Sequence, residues 1–140
     1  AALFAADRAH HVATKIRPAL ARGEIVITDR YLDSSVAYQG AGRELSREEV
    51  RDLSLWAVGG LLPGLTILLD LPADVARSRR NTTGTEPDRL ESEKIDFFER
   101  ARQAYLELAA SEPERFLVVD ASVDVNTMQD AIRARVSELI

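Results

Sequence analysis

The chain has 140 residues, of which 46% are apolar, with a mean hydropathy of −0.15, a formal net charge of −5 and no cysteine. This length allows one domain with its own core and excludes two ordinary domains, so we predict a single domain over residues 1–140. The acidic balance argues against nonspecific binding to duplex nucleic acid, no apolar run approaches the roughly 18 residues of a membrane helix, and the lack of cysteine excludes disulfides and thiolate metal sites.

Apolar spacing and turn residues predict helices that alternate with strands along the chain. The predicted helices cover residues 1–22, 46–58, a short stretch after Pro72 that ends in 77–80, 88–110, and a closing segment marked by Met128, Ile132, Val136 and Leu139. The predicted strands cover residues 24–28, 65–71 and 116–119. This order predicts an α/β fold with a parallel sheet and helices on both faces.

The first predicted helix carries two different faces and ends at Gly23, a typical helix-terminating residue. At 100° per residue, one apolar stripe is predicted to face the core; it comprises Leu3, Ala6, Ala9, Ala13, Ile16 and Leu20. A second face lies nearly opposite and holds Phe4, Arg8, His11 and Lys15. The next predicted helix begins at Ser46, which has capping-box spacing to Glu49.

Each predicted strand leads into an aspartate, namely Asp29, Asp70 and Asp120. Ligands bind at the carboxyl ends of the strands in parallel α/β sheets. Aspartate also favours strand exits for turn-forming reasons, so the coincidence alone does not define a site.

The most informative motif follows the first predicted strand, where Asp29, Arg30 and Tyr31 lead into a turn of small residues. The carboxylate can hold Mg²⁺ through its hydration shell, and the guanidinium can bind a phosphate through two parallel hydrogen bonds. The structural alternative is a strand-end turn with a surface ion pair. The triplet becomes specific through the residues that follow at fixed offsets, Ser34, Ser35, Tyr38, Gln39 and Gly40.

Two further sets of residues have chemistry that suits a nucleotide. Phe4 and Arg8 are i,i+4 neighbours that can stack on a base and hydrogen-bond its carbonyl, although a second core contact remains the alternative. The hydroxyls of Ser34 and Ser35 can bond a base edge, while Tyr38 can press against a sugar; helix capping is the alternative for Ser34.

Arginines flank a polar segment at residues 81–87, which we predict to be a loop. They are Arg77, Arg79, Arg80 and Arg89. Such a segment can bring positive charge to a phosphate chain and exclude water, or it can be a solvated basic helix end.

Taken together, these motifs resemble those of the thymidylate kinases, which are P-loop phosphotransferases. The resemblance runs from Leu3 to the C-terminus and is carried by residues 3–11, 29–40, 52–60, 77–91 and 96–112. It implies that Phe4, Arg8, Ser34 and Ser35 contact the pyrimidine, that Tyr38 lies near the ribose 2′ position, and that Tyr38-Gln39-Gly40 is of the bacterial type.

The resemblance also implies roles in catalysis. Arg30 is expected to bind the acceptor phosphate and Asp29 to hold Mg²⁺ through water. Residues 77–91 are expected to form a lid over ATP, with a catalytic arginine among Arg77, Arg79 and Arg80, and with Arg79, Arg80 and Arg89 on the nucleotide.

The activity implied is transfer of the γ-phosphate of ATP to dTMP, giving dTDP, in a cytoplasmic homodimer. The printed sequence contains no phosphate-binding loop, so we expect the chain to be the C-terminal two-thirds of such an enzyme, a partial domain that is inactive alone. The alternatives are another deoxynucleoside or nucleotide kinase and a noncatalytic remnant of a kinase domain.

Overall fold

The computed structural model describes residues 2–40, 46–80 and 89–140 of the chain. In chain order the elements are α1 (Ala2–His11), a π-helical turn (Val12–Ile16), α2 (Arg17–Ala21), α3 (Leu32–Gly40), α4 (Arg47–Ala57), β1 (Thr66–Asp70), α5 (Ala73–Arg80), α6 (Arg89–Ser111), β2 (Phe116–Asp120) and α7 (Val125–Ser137). They fall into two compact units, Ala1–Leu62 and Pro63–Ile140. Among the described helices, none combines the length and apolarity needed to cross a membrane.

The first helix is continuous from Ala2 to Ala21 but widens into a π turn just before Pro18. The backbone N–H of Arg17 bonds to the carbonyl of Val12, five residues back, instead of four. Proline lacks an N–H, and its ring would crowd the carbonyl four residues earlier in a regular α-helix. The wider turn relieves this conflict without ending the helix.

Gly23 ends this helix as predicted, through a complete Schellman motif. Its φ is +76°, a left-handed conformation that glycine adopts without steric cost. The N–H of Gly23 bonds to the carbonyl of Leu20 at 2.9 Å, and the N–H of Glu24 bonds to that of Ala19 at 3.1 Å. The last carbonyls of the helix are thereby satisfied.

The predicted core stripe of this helix is wrong, because the buried face lies about 80° around the axis at 100° per residue. The fully buried positions are Ala5, Val12 and Ile16, and only Ile16 belongs to the predicted stripe. Leu3 at one end of the stripe is 85% exposed. Half of the residues in the predicted stripe are alanines, which bury little area and so do not fix the face of a helix.

Residues 24–28 form no strand in the described structure, contrary to the prediction. Val26 packs against the core, whereas Ile25 and Ile27 are 71% and 91% exposed. A strand is defined by ladder bonds to a neighbour, and no described segment pairs with this one.

Helix α3 differs from the prediction, because the sequence indicates only a turn of small residues after Tyr31. Its buried apolar residues Leu32, Val36 and Ala37 have helical spacing. Leu32 packs in a core cluster with Val12, Ile16 and Val58. The result is a helix, and not a loop, beneath the candidate residues.

Helix α4 has the boundaries that its sequence predicts. The Oγ of Ser46 accepts from the N–H of Glu49 at 3.1 Å, and the Glu49 carboxylate accepts from the N–H of Ser46 at 3.0 Å. At the other end, Gly59 and Gly60 adopt φ values of +60° and +70° and turn the chain away.

The second unit contains a small parallel sheet of β1 and β2 with the helices α5, α6 and α7. Thr66 pairs with Phe116 and Asp70 with Asp120, so the two predicted aspartates lie side by side at the carboxyl edge. The mixed α/β class with parallel strands is confirmed, with two of the three predicted strands present in the described structure. The predicted loop at residues 81–87 lies outside the described residues.

Candidate functional site

A cavity of about 430 Å³ lies between α1, residues 28–31 and α3, and we call it the α1–α3 cavity. Its lining residues come from these three segments: Phe4, Asp7, Arg8, His11, Thr28, Asp29, Arg30, Tyr31, Ser34, Ser35 and Tyr38. Every predicted site residue of this unit whose side chain is described is among them. These segments, of which α1 is separate in the sequence from the other two, thus supply two arginines, two acids and three aromatic side chains to one space.

Arg8 is held in the α1–α3 cavity by α3 and by an aromatic ring. Its Nη2 donates to the Oγ of Ser35 at 3.1 Å, and its guanidinium lies 5.6 Å from the centre of the Tyr31 ring. Its Nη1 is buried and has no hydrogen-bond partner among the described residues. Burial lowers the pKa of Arg8 below its usual value, partly offset by Tyr31, Asp7 and Asp33.

Tyr31 forms part of the cavity wall and connects it to the end of α4. Its hydroxyl donates to the carbonyl of Leu61 at 3.1 Å. Burial raises the pKa of Tyr31, because the phenolate would lose its hydration, and the charge of Arg8 opposes this shift. Tyr31 therefore stays a neutral donor at physiological pH and holds its ring beneath Arg8.

Arg30 has an unusual backbone and a defined side-chain neighbour. Its φ is +63°, the only positive value of a non-glycine residue in the described chain, and this left-handed conformation costs about 1–2 kcal/mol for a residue with a Cβ atom. The Oγ1 of Thr28 donates to the carbonyl of Arg30 at 3.1 Å. The Arg30 guanidinium lies 5.1 Å from the centre of the Tyr38 ring, and both residues line the α1–α3 cavity.

Asp29 is exposed and lines the same cavity. In the described ranges no three His, Cys, Asp or Glu side chains cluster as a metal site. Mg²⁺ commonly binds through one carboxylate, waters and substrate phosphates, without a cage of protein ligands. A single accessible carboxylate beside an arginine therefore fits a magnesium ion that is held mainly by water.

Some residues of the cavity were not singled out from the sequence as site residues. Asp7 and His11 lie on the same helical face as Phe4, at i+3 and i+7, so their spacing could have identified them. Thr28 precedes Asp29 and was predicted only as the last residue of a strand. Asp33 is not among the lining residues, but it is a buried acid, 3% exposed, in the first turn of α3, and its charge acts on both Arg8 and Tyr31.

The predicted lid arginines belong to the second unit, and only Arg79 has a described side chain. The side chains of Arg77, Arg80 and Arg89, like that of Gln39 in the first unit, lie outside the described part of the structure. Arg79 donates from Nη1 to the carbonyl of Ala121 at 2.9 Å and from Nη2 to that of Ser122 at 3.2 Å. Its guanidinium is therefore bound to the turn that follows β2.

The two acids at the edge of the sheet have different partners. Asp70 receives both Nε and Nη2 of Arg102, at 2.6 and 3.0 Å, and Arg102 also binds Glu99 at 2.6 Å. Asp120 accepts the N–H of Ser122 at 2.7 Å, and hydrogen bonds from Ser122 lower its pKa, assisted by the charge of Arg79. Asp70 is thus neutralised by a structural ion pair, whereas Asp120 organises the turn beneath Arg79.

This chain is similar in sequence to one family of known proteins. Residues 1–132 match the family described as Thymidylate kinase. Three relatives named Thymidylate kinase come from Clavibacter sepedonicus, Bifidobacterium longum (strain DJO10A) and Deinococcus radiodurans, and they are 63%, 58% and 49% identical. These alignments cover 100%, 99% and 97% of this chain and 66% of each relative. The chain therefore spans just under two thirds of the length of these relatives.

Proposed function

Because this chain belongs to the thymidylate kinase family, we propose that the full-length protein transfers the γ-phosphate of ATP to dTMP, and that the α1–α3 cavity binds dTMP. The observation that carries the proposal is the convergence of Phe4, Arg8, Asp29, Arg30, Ser34, Ser35 and Tyr38 on one space. A pyrimidine nucleotide needs a stacking surface, a donor for a base carbonyl and a cation for its phosphate. The cavity holds all three kinds of group.

The base end of dTMP is assigned to Arg8 and Phe4. Arg8 has one nitrogen engaged by Ser35 and another, Nη1, buried without a partner in the described structure. An unsatisfied buried donor costs about 1–3 kcal/mol, which favours a ligand that brings an acceptor to Arg8. The O4 carbonyl of thymine is such an acceptor, and the 63% exposed ring of Phe4 is free to stack on the base.

The phosphate end is assigned to Arg30, with Asp29 beside it. A guanidinium can hold two oxygens of the acceptor phosphate, and Asp29 would hold Mg²⁺ through water. The metal, when bound, neutralises charge on the phosphates. No general base is required, since the acceptor phosphate is already an anionic nucleophile, and catalysis rests on positioning and charge stabilisation.

We assign the ATP-facing role to the arginines of α5 and the start of α6. Arg77, Arg79 and Arg80, together with Arg89, flank residues 81–88 and are expected to bring positive charge to the triphosphate, with one of the first three acting on the transferred group. An arginine of this kind is worth about 10³–10⁵ in rate. Arg79, which lies beside the carboxyl end of β2, supports this assignment.

Further parts of the proposal concern the full-length protein. We place a phosphate-binding loop and its strand in the third of the relatives' length that this chain does not span, completing a parallel sheet with helices on both faces. We propose a cytoplasmic homodimer that packs through the first helix, residues 2–21, and this role is supported by the exposure of Leu3 in α1 and Leu20 in α2, which are 85% and 44% accessible. Tyr38 would lie near the ribose 2′ position of dTMP, and Gln39 would also contact this substrate.

The test is an assay of ADP formation by full-length protein with dTMP, dCMP, UMP and dGMP as acceptors. We expect preference for dTMP, and we expect Arg30→Ala to raise the KM for dTMP by about 10- to 150-fold, the equivalent of 1.5–3 kcal/mol. The KM for ATP should change little. Arg133→Ala on the exposed face of α7, where Arg133 bonds Gln129, is the matched control.

Two outcomes would contradict the proposal. A preference for a purine monophosphate would exclude the α1–α3 cavity as a thymine site. An unchanged KM and kcat in Arg30→Ala would mean that Arg30 does not bind the acceptor phosphate.

For Asp29→Asn the expected phenotype is a loss of rate that higher Mg²⁺ partly restores.

A further inference from the structure

The backbone of Arg30 is held in a conformation that its own chemistry disfavours. Its φ of +63° lies in the left-handed region, where a Cβ atom approaches the following carbonyl oxygen. Residues persist there only when their surroundings compensate, and such residues cluster at functional sites. Some neighbouring group must therefore favour this conformation of Arg30.

The Thr28 hydroxyl is the neighbour in contact with that backbone. Its Oγ1 donates to the carbonyl oxygen of Arg30 at 3.1 Å, across the two peptide bonds that flank Asp29. The bond fixes the peptide that follows Arg30, and therefore the direction in which its Cα–Cβ bond leaves the chain. From that direction the guanidinium reaches its position 5.1 Å from the Tyr38 ring, on the α1–α3 cavity.

We propose that Thr28 is a positioning residue, whose hydroxyl holds Arg30 in the left-handed conformation and so aims its guanidinium at the acceptor phosphate. This inference rests on the proposed function, because it takes the phosphate to be the ligand of Arg30. Thr28 acts through the hydroxyl and not through its methyl group. A residue of the same shape without a hydroxyl should therefore lose the effect, and a smaller one with a hydroxyl should keep it.

A competing account is that Thr28 binds the substrate itself, since it also lines the α1–α3 cavity. The two accounts differ in whether Thr28 needs Arg30. A positioning residue has nothing left to position in an Arg30→Ala background, whereas a direct contact keeps its full effect there. A double-mutant cycle separates them.

The experiment uses full-length protein with Thr28→Val, Thr28→Ser, Arg30→Ala and the Thr28→Val/Arg30→Ala double variant. Valine matches threonine in shape, and Thr28 is exposed, so folding should be preserved; a thermal melt of each variant checks this. We expect Thr28→Val to raise the KM for dTMP by about three- to tenfold, as the loss of one hydrogen bond predicts. The KM for ATP should stay within twofold, and Thr28→Ser should recover most of the dTMP affinity.

In the Arg30→Ala background, Thr28→Val should change the KM for dTMP by less than twofold. The inference is overturned if Thr28→Val leaves the KM for dTMP unchanged in an otherwise native protein. It is equally overturned if the same fold-change persists without Arg30, which would make Thr28 a substrate contact. Failure of the proposed function is a different result, namely an Arg30→Ala single variant that uses dTMP normally.

Discussion

Replacement of Arg8 by methionine should separate ligand recognition from stability. Methionine fills a similar elongated space but has no donor and no charge. The variant would lose the charge-assisted hydrogen bond to Ser35, worth about 1.5–3 kcal/mol, and the contact with the Tyr31 ring, worth about 0.5–1 kcal/mol. It would also remove a buried Nη1 without a partner among the described residues, a relief of about 1–3 kcal/mol.

These opposed contributions nearly cancel in the free protein. We therefore expect the free energy of unfolding of full-length Arg8→Met to stay within about 1 kcal/mol of the parent, or about 2–4 °C in Tm. The loss on the ligand side has no such offset. A charge-assisted hydrogen bond to the thymine carbonyl is worth about 1.5–3 kcal/mol, so the KM for dTMP should rise by about 10- to 150-fold.

Discrimination between bases should fall in the same variant. Cytosine carries an amino group where thymine has O4, and two donors facing each other are unfavourable; without Arg8 that penalty against dCMP disappears. The assay compares kcat/KM for dTMP and dCMP, with thermal melts alongside. The control is Arg17→Met, because Arg17 bonds the carbonyls of Val58 and Gly59 away from the α1–α3 cavity, and its loss should lower Tm without changing either KM.

Two results would refute this reasoning. One is a dTMP-to-dCMP ratio that is unchanged in Arg8→Met. The other is a fall in Tm as large as that of Arg17→Met, which would mean that Arg8 is a structural residue and that its unpartnered nitrogen has no functional meaning.

Three further predictions concern the described backbone and its charges. Gly23→Ala should lower the free energy of unfolding by about 1–2 kcal/mol, because alanine disfavours the φ of +76°; Gly64→Ala, which has open space and no positive φ, should be nearly neutral in the same denaturant titration. Hydrogen bonds from the Thr127 hydroxyl and backbone lower the pKa of the N-cap Asp124 below 3.8, so the stabilising effect of this carboxylate is present above pH 3.8 and is lost as the pH falls through the lowered pKa. The difference in Tm between the parent and Asp124→Ala should therefore disappear in acid. A difference that stays constant with pH would contradict this prediction. Arg79→Ala should reduce kcat by at least a hundredfold if it is the catalytic lid arginine, with the KM for dTMP unchanged, and a mild effect would assign that role to another arginine.

Elements with a local chemical signal could be predicted from the sequence. Ser46 with Glu49, and Gly23 at a helix end, specify hydrogen bonds within a few residues, so no knowledge of the rest of the fold was needed. Residues 24–28 show the limit of such reasoning. Their β-branched pattern states a preference for extended backbone, but a strand also requires a partner, and pairing is a property of the assembled sheet.

The candidate site was predicted in composition but not in arrangement. The resemblance identified Arg8 and Ser35 as separate site residues, and only the packing of α1 on α3 turns them into a hydrogen-bonded pair. The left-handed φ of Arg30 and its bond from Thr28 had no sequence signal, because arginine rarely adopts that conformation. Tertiary packing decides both features.

The π turn at residues 12–16 sets the rotational phase between the two halves of the first helix. One residue advances an α-helix by about 100°, and a π turn accommodates an extra residue without passing that rotation on. Shortening this turn by one residue would leave Ile16 in the core and swing Phe4 and Arg8 by about 100°, out of the α1–α3 cavity. The set of residues that faces the α1–α3 cavity therefore depends on the length of the π turn, although residues 12–16 are not among those that line the cavity.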